Sequence, residues 1–274
     1  MKVSASIVTY KTDPTELLNC INAIKRNKVS LVYVIDNSPT NKLGEVCASI
    51  ESVVYIFNDN NLGYGTAHNI AIRKTQEQNF DYHLVINSDV SFGDDVIEKL
   101  TEYMESEENQ DVAQVIPNTY YPDGRLQYVV RLLPTPANPI LRRFLPDCVV
   151  KPMNNRYCLM FNDHTQPMNV PFHQGCFMFF RVKCFETAGM FDERFFLYAE
   201  DIDITRRMHK HFRTMFYPGT SIVHFHRAES YRSFKMLKIH IVNMIRYFNK
   251  WGWFFDKERT EWNKKLLKEL GYKS

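Results

Sequence analysis

Several patterns that identify common protein classes are missing from this chain of 274 residues. No run of about 18 apolar residues occurs, so the sequence predicts no membrane-spanning helix. Neither G-x-G-x-x-G nor G-x-x-x-x-G-K-[ST] is present, which removes the main support for a Rossmann dinucleotide site or a P-loop. The lack of a G-x-S-x-G turn likewise argues against an α/β-hydrolase.

Cysteine is also sparse, and the six cysteines are scattered without a C-x-x-C pair: Cys20, Cys47, Cys148, Cys158, Cys176 and Cys184. This spacing fits neither a disulfide scaffold nor a zinc site. The N-terminal segment MKVSASIVTYK contains only a short apolar run and no small-residue cleavage site, so no secretory signal peptide is predicted. We therefore expect a protein of the reducing cytoplasm.

The composition is that of a globular protein, with 45% hydrophobic and 24% charged residues, but the charge is unevenly distributed. Residues 1–203 carry 18 Lys+Arg and 26 Asp+Glu, a formal charge of −8. Residues 204–274 carry 16 and 5, a formal charge of +11. Such asymmetry predicts a basic surface for an anionic partner.

Continuous apolar runs alternate with helical patterns in the first hundred residues. Strands are predicted over 6–10, 31–35, 53–57 and 82–86, and helices from Asp13-Pro14 onward and near 40–50, 65–78 and 94–106. This order indicates an α/β fold, a mostly parallel sheet with helices on both faces. Ligands bind beyond the carboxyl ends of such strands, where polar residues cluster: Thr9, Tyr10, Asp36, Asn37, Ser38, Asn87, Ser88 and Asp89.

The second half continues with predicted strands over 175–181, 214–217 and 221–225, and helices over 183–188 and from Glu200 to about His211. Seven prolines within 131–171 predict a long surface loop there. A basic amphipathic helix is predicted over 233–251. Its two opposite faces are expected to be basic, with Arg232, Lys235, Lys238, Arg246 and Lys250, and apolar, with Leu237, Ile241, Met244, Ile245 and Phe248.

Three polar groups could carry chemistry, and each has a structural alternative. Asn87 and Asp89 can address one Mg²⁺ or Mn²⁺ ion, or simply form a turn. Acidic residues at 200, 201 and 203 can supply a general base, or complement a helix dipole. His224 and His226 end a predicted strand and can contact a metal or phosphate, although a histidine is usually structural or exposed.

The ordered blocks SIVTY, VIDNS, NNLGYGTAHN, VINSDV, GCFMFFR, GMFDERFFLYAEDIDITRR and SIVHFH resemble inverting glycosyltransferase family 2, especially its bacterial rhamnosyltransferase-like members. The resemblance covers roughly residues 3–230 and implies a GT-A fold, with a mixed, mostly parallel sheet and helices on both faces. It implies a catalytic domain over 1–230, with a nucleotide-sugar-binding half (1–115) and an acceptor-side half (116–230) that contains the loop 131–171. Residues 231–274 would form a basic, aromatic extension of amphipathic helices.

By this resemblance, Asp201 is the general base, beside Glu200 in the acidic acceptor-side motif. The metal ion, Mn²⁺ or Mg²⁺, would be held by Asp89 with His224, for which His226 is the alternative. Asn87 stands where the family's Asp-x-Asp motif has its first aspartate, which leaves one carboxylate fewer for the metal. The donor would be contacted by a larger set: Thr9, Tyr10, Asp36, Asn61, Gly63, Asn87 and Ser88.

The resemblance implies transfer of one sugar from a nucleotide-diphosphate donor to a glycan or lipid-linked acceptor in bacterial surface polysaccharide synthesis. dTDP-rhamnose is the first choice of donor, and UDP-galactofuranose or another UDP-hexose is the alternative. A nucleotidyltransferase would need a glycine-rich phosphate loop after the first strand, and residues 9–13 contain no glycine. No nucleic-acid motif accompanies the basic C-terminal segment, which instead suits an anionic membrane, the inner face of the plasma membrane. The sequence gives no indication of the oligomeric state.

Overall fold

The computed structural model describes residues 1–139, 145–225 and 234–272. Its N-terminal half alternates strands and helices: β1 (Val3–Thr9), α1 (Pro14–Arg26), β2 (Leu31–Asp36), α2 (Gly44–Ala48), β3 (Val53–Phe57), α3 (Tyr64–Glu77) and β4 (Tyr82–Ile86). The strands are parallel in the order β3-β2-β1-β4. In this register Thr9 lies beside Asp36, so the polar ends of β1 and β2 meet at one edge, as predicted.

The chain continues as β5 (Val90–Phe92), α4 (Val96–Glu105), β6 (Val112–Tyr120), β7 (Val130–Arg131), α5 (Asp147–Tyr157), β8 (Met168–Asn169), β9 (Phe172–His173), β10 (Phe177–Arg181), α6 (Phe185–Ala188), α7 (Glu200–His211) and β11 (Arg213–His224). The large sheet has the order β3-β2-β1-β4-β10-β6-β11-β5, with β8 beside β11. β10 runs antiparallel to its neighbours β4 and β6, while β11 is parallel to β6. The mixed, mostly parallel sheet of the prediction is therefore confirmed.

Both faces of the sheet are covered by helices. Leu84 and Ile86 of β4 pack into the core on the side of α1, whereas Val85 packs with Ile72 of α3 on the other side. The first helix begins where the sequence indicates, because the Asp13 carboxylate accepts hydrogen bonds from the backbone N–H of Thr15 and Glu16. Because neighbouring side chains of a strand are buried on opposite faces of the sheet, the strands are largely apolar, with Ser4, Ser6 and His83 as buried polar exceptions.

Two C-terminal helices, α8 (Phe234–Trp251) and α9 (Lys257–Glu269), share the main hydrophobic core with the sheet. The residues they contribute are Met244, Tyr247, Phe248, Leu266 and Leu267. In the described parts of the chain, no helix has both the length and the apolar character needed to cross a membrane.

Two predictions about the secondary structure of the second half were wrong. The stretch 131–171 contains α5, because Pro146 precedes the helix and Pro152 removes only one intrahelical hydrogen bond. The two strands predicted over 214–217 and 221–225 form one strand, β11, whose register is irregular between Tyr217 and Ser221. Pro218 and Gly219 lie at this irregularity, where a residue without an N–H can be accommodated.

The predicted faces of α8 were also partly wrong. Ile241 and Ile245, expected in the core, are 36% and 39% exposed. Lys250, expected in solvent, is mostly buried and pairs with Asp192 at 2.8 Å and Asp203 at 2.6 Å. The helix is rotated because polar contacts, such as the Lys250 ion pairs, fix its inner face. Arg232 and His226 lie outside the described residues.

Candidate active site

A cavity of about 570 Å³ opens at the carboxyl edge of the parallel strands, between the ends of β1 and β4 and the start of α7. Seven of the predicted site residues line it: Tyr10, Asn87, Ser88, Asp89, Glu200, Asp201 and His224. These residues are far apart in sequence, and the sheet order brings them together. The predicted donor-contacting residues Thr9, Asp36, Asn61 and Gly63 lie outside its lining.

Asp89 and His224 face each other on one side of the cavity. The Asp89 Oδ1 and His224 Nε2 atoms are 3.3 Å apart, and the other ring nitrogen, Nδ1, lies 3.0 Å from Gln127 Oε1. An amide oxygen can only accept a hydrogen bond, so the contact with Gln127 implies that Nδ1 of His224 carries a proton. Burial lowers the pKa of His224, but Cys176 and Asp89 outweigh burial and raise it to about 10. A positive charge between these two side chains is therefore favoured.

This arrangement fits a divalent cation shared with a ligand. A carboxylate oxygen and a neutral imidazole nitrogen are both good ligands for Mn²⁺, and Asp89 Oδ1 and His224 Nε2 face each other here at 3.3 Å. Among the described residues, no group of three or more His, Cys, Asp or Glu side chains could hold a metal ion by itself. A cation bound by Asp89 and His224 would thus take its remaining ligands from a diphosphate or from water.

Glu200 and Asp201 lie across the cavity, at the first turn of α7. The turn before them is strained, because Tyr198 and Ala199 have φ values of 68° and 69° in the left-handed region. On the α8 side, the Asn243 side-chain amide donates to the carbonyl of Leu197 at 2.7 Å. A backbone conformation that is unfavourable by itself is thus held by contacts with a different element.

The two carboxyl groups have different surroundings. Asp201 accepts hydrogen bonds from the backbone N–H of Gly175 at 3.1 Å and of Ile202 at 2.9 Å. Glu200 is buried, and its Oε2 atom has no hydrogen-bond partner in the described structure. Burial and the neighbouring Asp201 raise the pKa of Glu200 well above its ordinary value. Burial also raises the pKa of Asp201, but the two N–H groups and Arg131 oppose this rise.

The two carboxyl groups can therefore share one proton, so that one of them is neutral while the other is ionised. Two carboxyl groups at close range do not both ionise readily, so the group with better hydrogen-bond donors keeps the charge. Those donors point to Asp201. Glu200 is then the neutral partner, and Asp201 is the carboxylate available to accept a proton in the cavity.

The four predicted donor-contacting residues that do not line the cavity lie at the adjoining part of the sheet edge. Both Asp36 oxygens are engaged, one by the Ser38 N–H at 2.9 Å and the other by the Tyr55 hydroxyl at 2.7 Å. The buried Thr9 hydroxyl has no hydrogen-bond partner among the described residues. Asn61 accepts a hydrogen bond from the Gly63 N–H at 3.0 Å, which closes the turn before α3. Their roles toward a donor remain predictions.

Tyr64 was missed by the sequence analysis. Its hydroxyl donates to the carbonyl of Gly175 at 2.6 Å and lies 2.9 Å from Asn87 Oδ1. The same Gly175 donates its N–H to Asp201, so Tyr64 connects the Asn87 side of the cavity with the Asp201 side. Tyr64 and Gly175 both stand in blocks that carry the family resemblance, NNLGYGTAHN and GCFMFFR, but nothing in the sequence of those blocks indicated this contact.

The sheet order and the cavity at its edge define an α/β protein of the GT-A type. Residues 4–189 match the family described as Glycosyl transferase family 2, and the chain belongs to that family. This agrees with the resemblance inferred from the sequence at the level of the family. The rhamnosyltransferase-like subtype is not confirmed.

One curated relative is the low-salt glycan biosynthesis hexosyltransferase Agl10 of Haloferax volcanii, 29% identical over 208 residues. The match covers 75% of this chain and 61% of the relative, so the chain spans less than two thirds of that protein's length.

Solved structures support the fold. GalNAc-T7 with UDP, GalNAc and Mn²⁺ aligns with a TM-score of 0.60 at 13% identity, over 83% of this chain and 44% of that one. Mannosyltransferase PcManGT of Pyrobaculum calidifontis, with GDP-Man and Mn²⁺, aligns with a TM-score of 0.56 at 14% identity, over 89% and 64%. S. aureus TarS 1-349 with UDP gives 0.56 at 14%, over 98% and 70%.

Proposed function

We propose that this protein is an inverting glycosyltransferase that transfers a sugar from a nucleotide-diphosphate donor to a hydroxyl of a glycan or lipid-linked acceptor. One observation carries the proposal: a single cavity has Asp89 and His224 on one side and Glu200 and Asp201 on the other. The first pair suits a diphosphate and its cation, and the second suits an acceptor hydroxyl. Membership of family 2 and the hexosyltransferase relative support the reaction class.

In the proposed reaction, Asp201 removes the proton from the acceptor hydroxyl as the hydroxyl oxygen attacks the anomeric carbon. The new C–O bond forms while the bond to the diphosphate oxygen breaks, and the bonding electrons leave with the nucleoside diphosphate. Attack opposite the leaving group inverts the anomeric configuration. The N–H groups of Gly175 and Ile202 orient the Asp201 carboxylate, and Glu200 stays neutral beside it.

The residues toward the leaving group are Asp89, His224, Asn87 and Ser88. A Mn²⁺ or Mg²⁺ ion held by Asp89 and His224 would supply charge to stabilise the departing diphosphate. Ser88 is oriented by its hydroxyl, which donates to Glu16 at 2.6 Å. We propose that residues 1–115 hold the donor and residues 116–230 the acceptor, with Thr9, Tyr10, Asp36, Asn61 and Gly63 on the nucleoside side.

Two donors remain candidates, dTDP-rhamnose as the first choice and a UDP-hexose or UDP-galactofuranose as the alternative. The hexosyltransferase relative and the UDP and GDP-Man complexes of the structural neighbours support a nucleotide-sugar donor in general. A thermal-shift screen of dTDP- and UDP-sugars, each with Mn²⁺ or Mg²⁺, separates the two. No response to any nucleoside diphosphate would remove the proposed function.

The general-base role of Asp201 predicts a specific kinetic defect. Asp201→Asn should lower the transfer rate about 10²–10⁴-fold, because a positioned base typically contributes that much. Donor binding, measured by calorimetry, should be unchanged. Glu200→Gln is the matched control: an amide resembles the neutral carboxyl, so it should retain far more activity. Equal losses in both variants would contradict this division of roles.

The leaving-group side gives a second prediction. Asp89→Ala should abolish the metal-dependent part of nucleoside diphosphate binding in calorimetry, since it removes the charged oxygen donor beside His224. Asp94→Ala, at an exposed surface pair with Arg26, is the control and should bind like the wild type. Unchanged binding in Asp89→Ala would remove this residue from the site.

A further inference from the structure

The solvent-facing side of α8 has an unusual composition. Its exposed residues fall within an arc of about 140° at 100° per residue. Four are apolar, with exposures of 84% for Phe234, 36% for Ile241, 38% for Val242 and 39% for Ile245. Three more are basic and exposed, Lys235, Lys238 and Arg246, and the remaining exposed residue is the neutral Asn249. We call the four apolar and three basic residues the α8 stripe.

The charge of α8 has one sign. None of its 18 residues is Asp or Glu. An ordinary surface helix would show mixed charges rather than four exposed apolar side chains among cations. Two more exposed aromatic residues follow its C-terminal end, Phe254 at 79% and Phe255 at 98%. The stripe therefore combines the two attractions that hold a helix at a bilayer surface, apolar burial and cationic charge.

The opposite side of α8 faces the catalytic cavity. Met236 lines that cavity, and the His240 ring lies 5.0 Å from the ring of Tyr198 in the strained turn. Asn243 donates to Leu197 in the same segment. One helix thus has the cavity and the acidic turn on its inner side and the α8 stripe on its outer side.

We propose that the α8 stripe docks the protein on an anionic lipid bilayer, with α8 lying in the headgroup region beside the cavity. A second copy of the chain is a poorer occupant, because a two-fold contact pairs this stripe with itself and would bring the cations Lys235, Lys238 and Arg246 close to the same three cations of the other copy. Anionic headgroups complement the same cations. The inference rests on the proposed function in one respect, that a lipid-linked acceptor would reach the cavity from this surface.

Co-sedimentation with vesicles tests the surface directly. Wild-type protein should bind phosphatidylcholine vesicles that contain phosphatidylglycerol, and bind pure phosphatidylcholine much more weakly. Each basic residue near an anionic surface is worth about a fivefold change in binding. Lys235→Gln with Lys238→Gln should therefore weaken binding at least tenfold. Ile241→Ser with Ile245→Ser should weaken binding to both kinds of vesicle.

Matched controls come from other surfaces. Lys28→Gln changes a lysine whose side chain is 86% exposed, and Val54→Ser changes a 37% exposed valine on β3. Both should bind vesicles like the wild type. Circular dichroism and nucleoside diphosphate calorimetry on every variant show whether it is folded.

Three results would overturn the inference: no wild-type binding to anionic vesicles at low salt, equal binding by the stripe variants and controls, or a lipid-free dimer that the isoleucine variants dissociate. Nucleotide binding without vesicle binding would reject the docking surface and leave the proposed function standing. Vesicle binding without nucleotide binding would support the surface and reject the proposed function.

Discussion

A buried ion pair attaches the helix that carries Glu200 and Asp201 to the C-terminal segment, and its removal should destabilise the whole protein. Arg206 on α7 makes two hydrogen bonds of 2.7 Å to Asp256, and both side chains are almost fully buried, at 1% and 2% exposure. The guanidinium carbon lies 4.0 Å from the centre of the Trp251 ring. We choose Asp256→Asn, because asparagine keeps the helix-capping ability of the aspartate that precedes α9.

The expected loss is about 3 kcal/mol of unfolding free energy, at the lower end of what removing one partner of a buried pair costs. The lower end applies because Glu258 also contacts Arg206, at 3.2 Å, and is 31% exposed, so the arginine keeps one carboxylate. Arg206→Met should cost a similar amount. The double variant should lose less than the sum, because neither charge is then left unpaired.

Urea denaturation followed by far-UV circular dichroism and tryptophan fluorescence measures these losses. Asp123→Asn is the control, because its pair with Arg125 is exposed at 51% and 77%, and solvent-exposed ion pairs contribute little to stability. A loss below about 1 kcal/mol in Asp256→Asn would refute the reasoning. The reasoning would also be refuted if urea unfolding had a separate early transition and the substitution shifted only that one. The C-terminal segment would then unfold independently of the rest of the protein.

The same pair predicts a pH dependence. Burial raises the pKa of Asp256, but the hydrogen bonds from Arg206 and from the Arg259 N–H lower it by more. The pKa of Asp256 in the folded protein is therefore below its ordinary value. A carboxyl group with a lowered folded-state pKa stabilises the protein above the unfolded-state pKa, and that contribution is lost as the pH falls through the folded-state value. Acidification below about pH 4 should therefore destabilise the wild type more than Asp256→Asn.

Two further substitutions examine the cavity. Gly63→Ala should destabilise the protein and weaken donor binding in calorimetry, because φ is +86° there and a Cβ would lie 2.4 Å from the Phe196 carbonyl oxygen. Gly124→Ala, at φ +83° with nothing within 4 Å, measures the backbone strain alone, and a loss as large as that of Gly63→Ala would contradict the contact argument. Tyr64→Phe should lower the transfer rate about tenfold with stability changed by about 1 kcal/mol, since it removes one hydrogen bond beside Asn87; unchanged kinetics would exclude Tyr64 from positioning.

The first half of the fold was predictable because β1, β2 and β4 are buried on both faces and the edge strand β3 is apolar. Strands over Val53–Phe57 and Tyr82–Ile86 were predicted with their observed bounds. The carboxyl edge followed from the same pattern, and the cavity is located there. Periodicity contains this information because burial of alternate side chains in two cores requires an unbroken apolar run.

The second half was less predictable because its pairing partners are distant in sequence. β6 (Val112–Tyr120) was not predicted, although it joins β10 and β11 in the sheet. It contains Gln114, Pro117 and Asn118, which interrupt the apolar pattern. The proposed boundary after residue 115 falls inside this strand. Local sequence thus gave no sign that a strand with polar residues would be buried by its neighbours.

The sequence named seven residues that line the cavity, and it gave no indication of how their side chains are held. Sequence blocks brought Asp89, Asp201 and His224 into consideration, and the structure adds how each is held. The separation of Glu200 from Asp201 depends on which backbone N–H groups reach them. Gly175 provides one of these groups from a loop 26 residues away, and no spacing rule relates the two.

The division of charge between residues 1–203 and 204–274 is partly an internal complementarity. Basic residues of the second segment pair with acidic residues of the first: Arg213 with Asp111, Arg207 with Asp203, and Lys250 with Asp192 and Asp203. The Arg207 pair lies within α7, the Lys250 pairs join α8 to α7 and to Asp192, and the Arg213 pair joins β11 to the residue before β6. A basic segment is therefore not by itself a sign of an external partner. The α8 stripe is different because its cations lie among exposed apolar side chains. Salt should therefore release the protein from anionic vesicles at concentrations that leave the buried Arg206 pair, and hence the fold, intact.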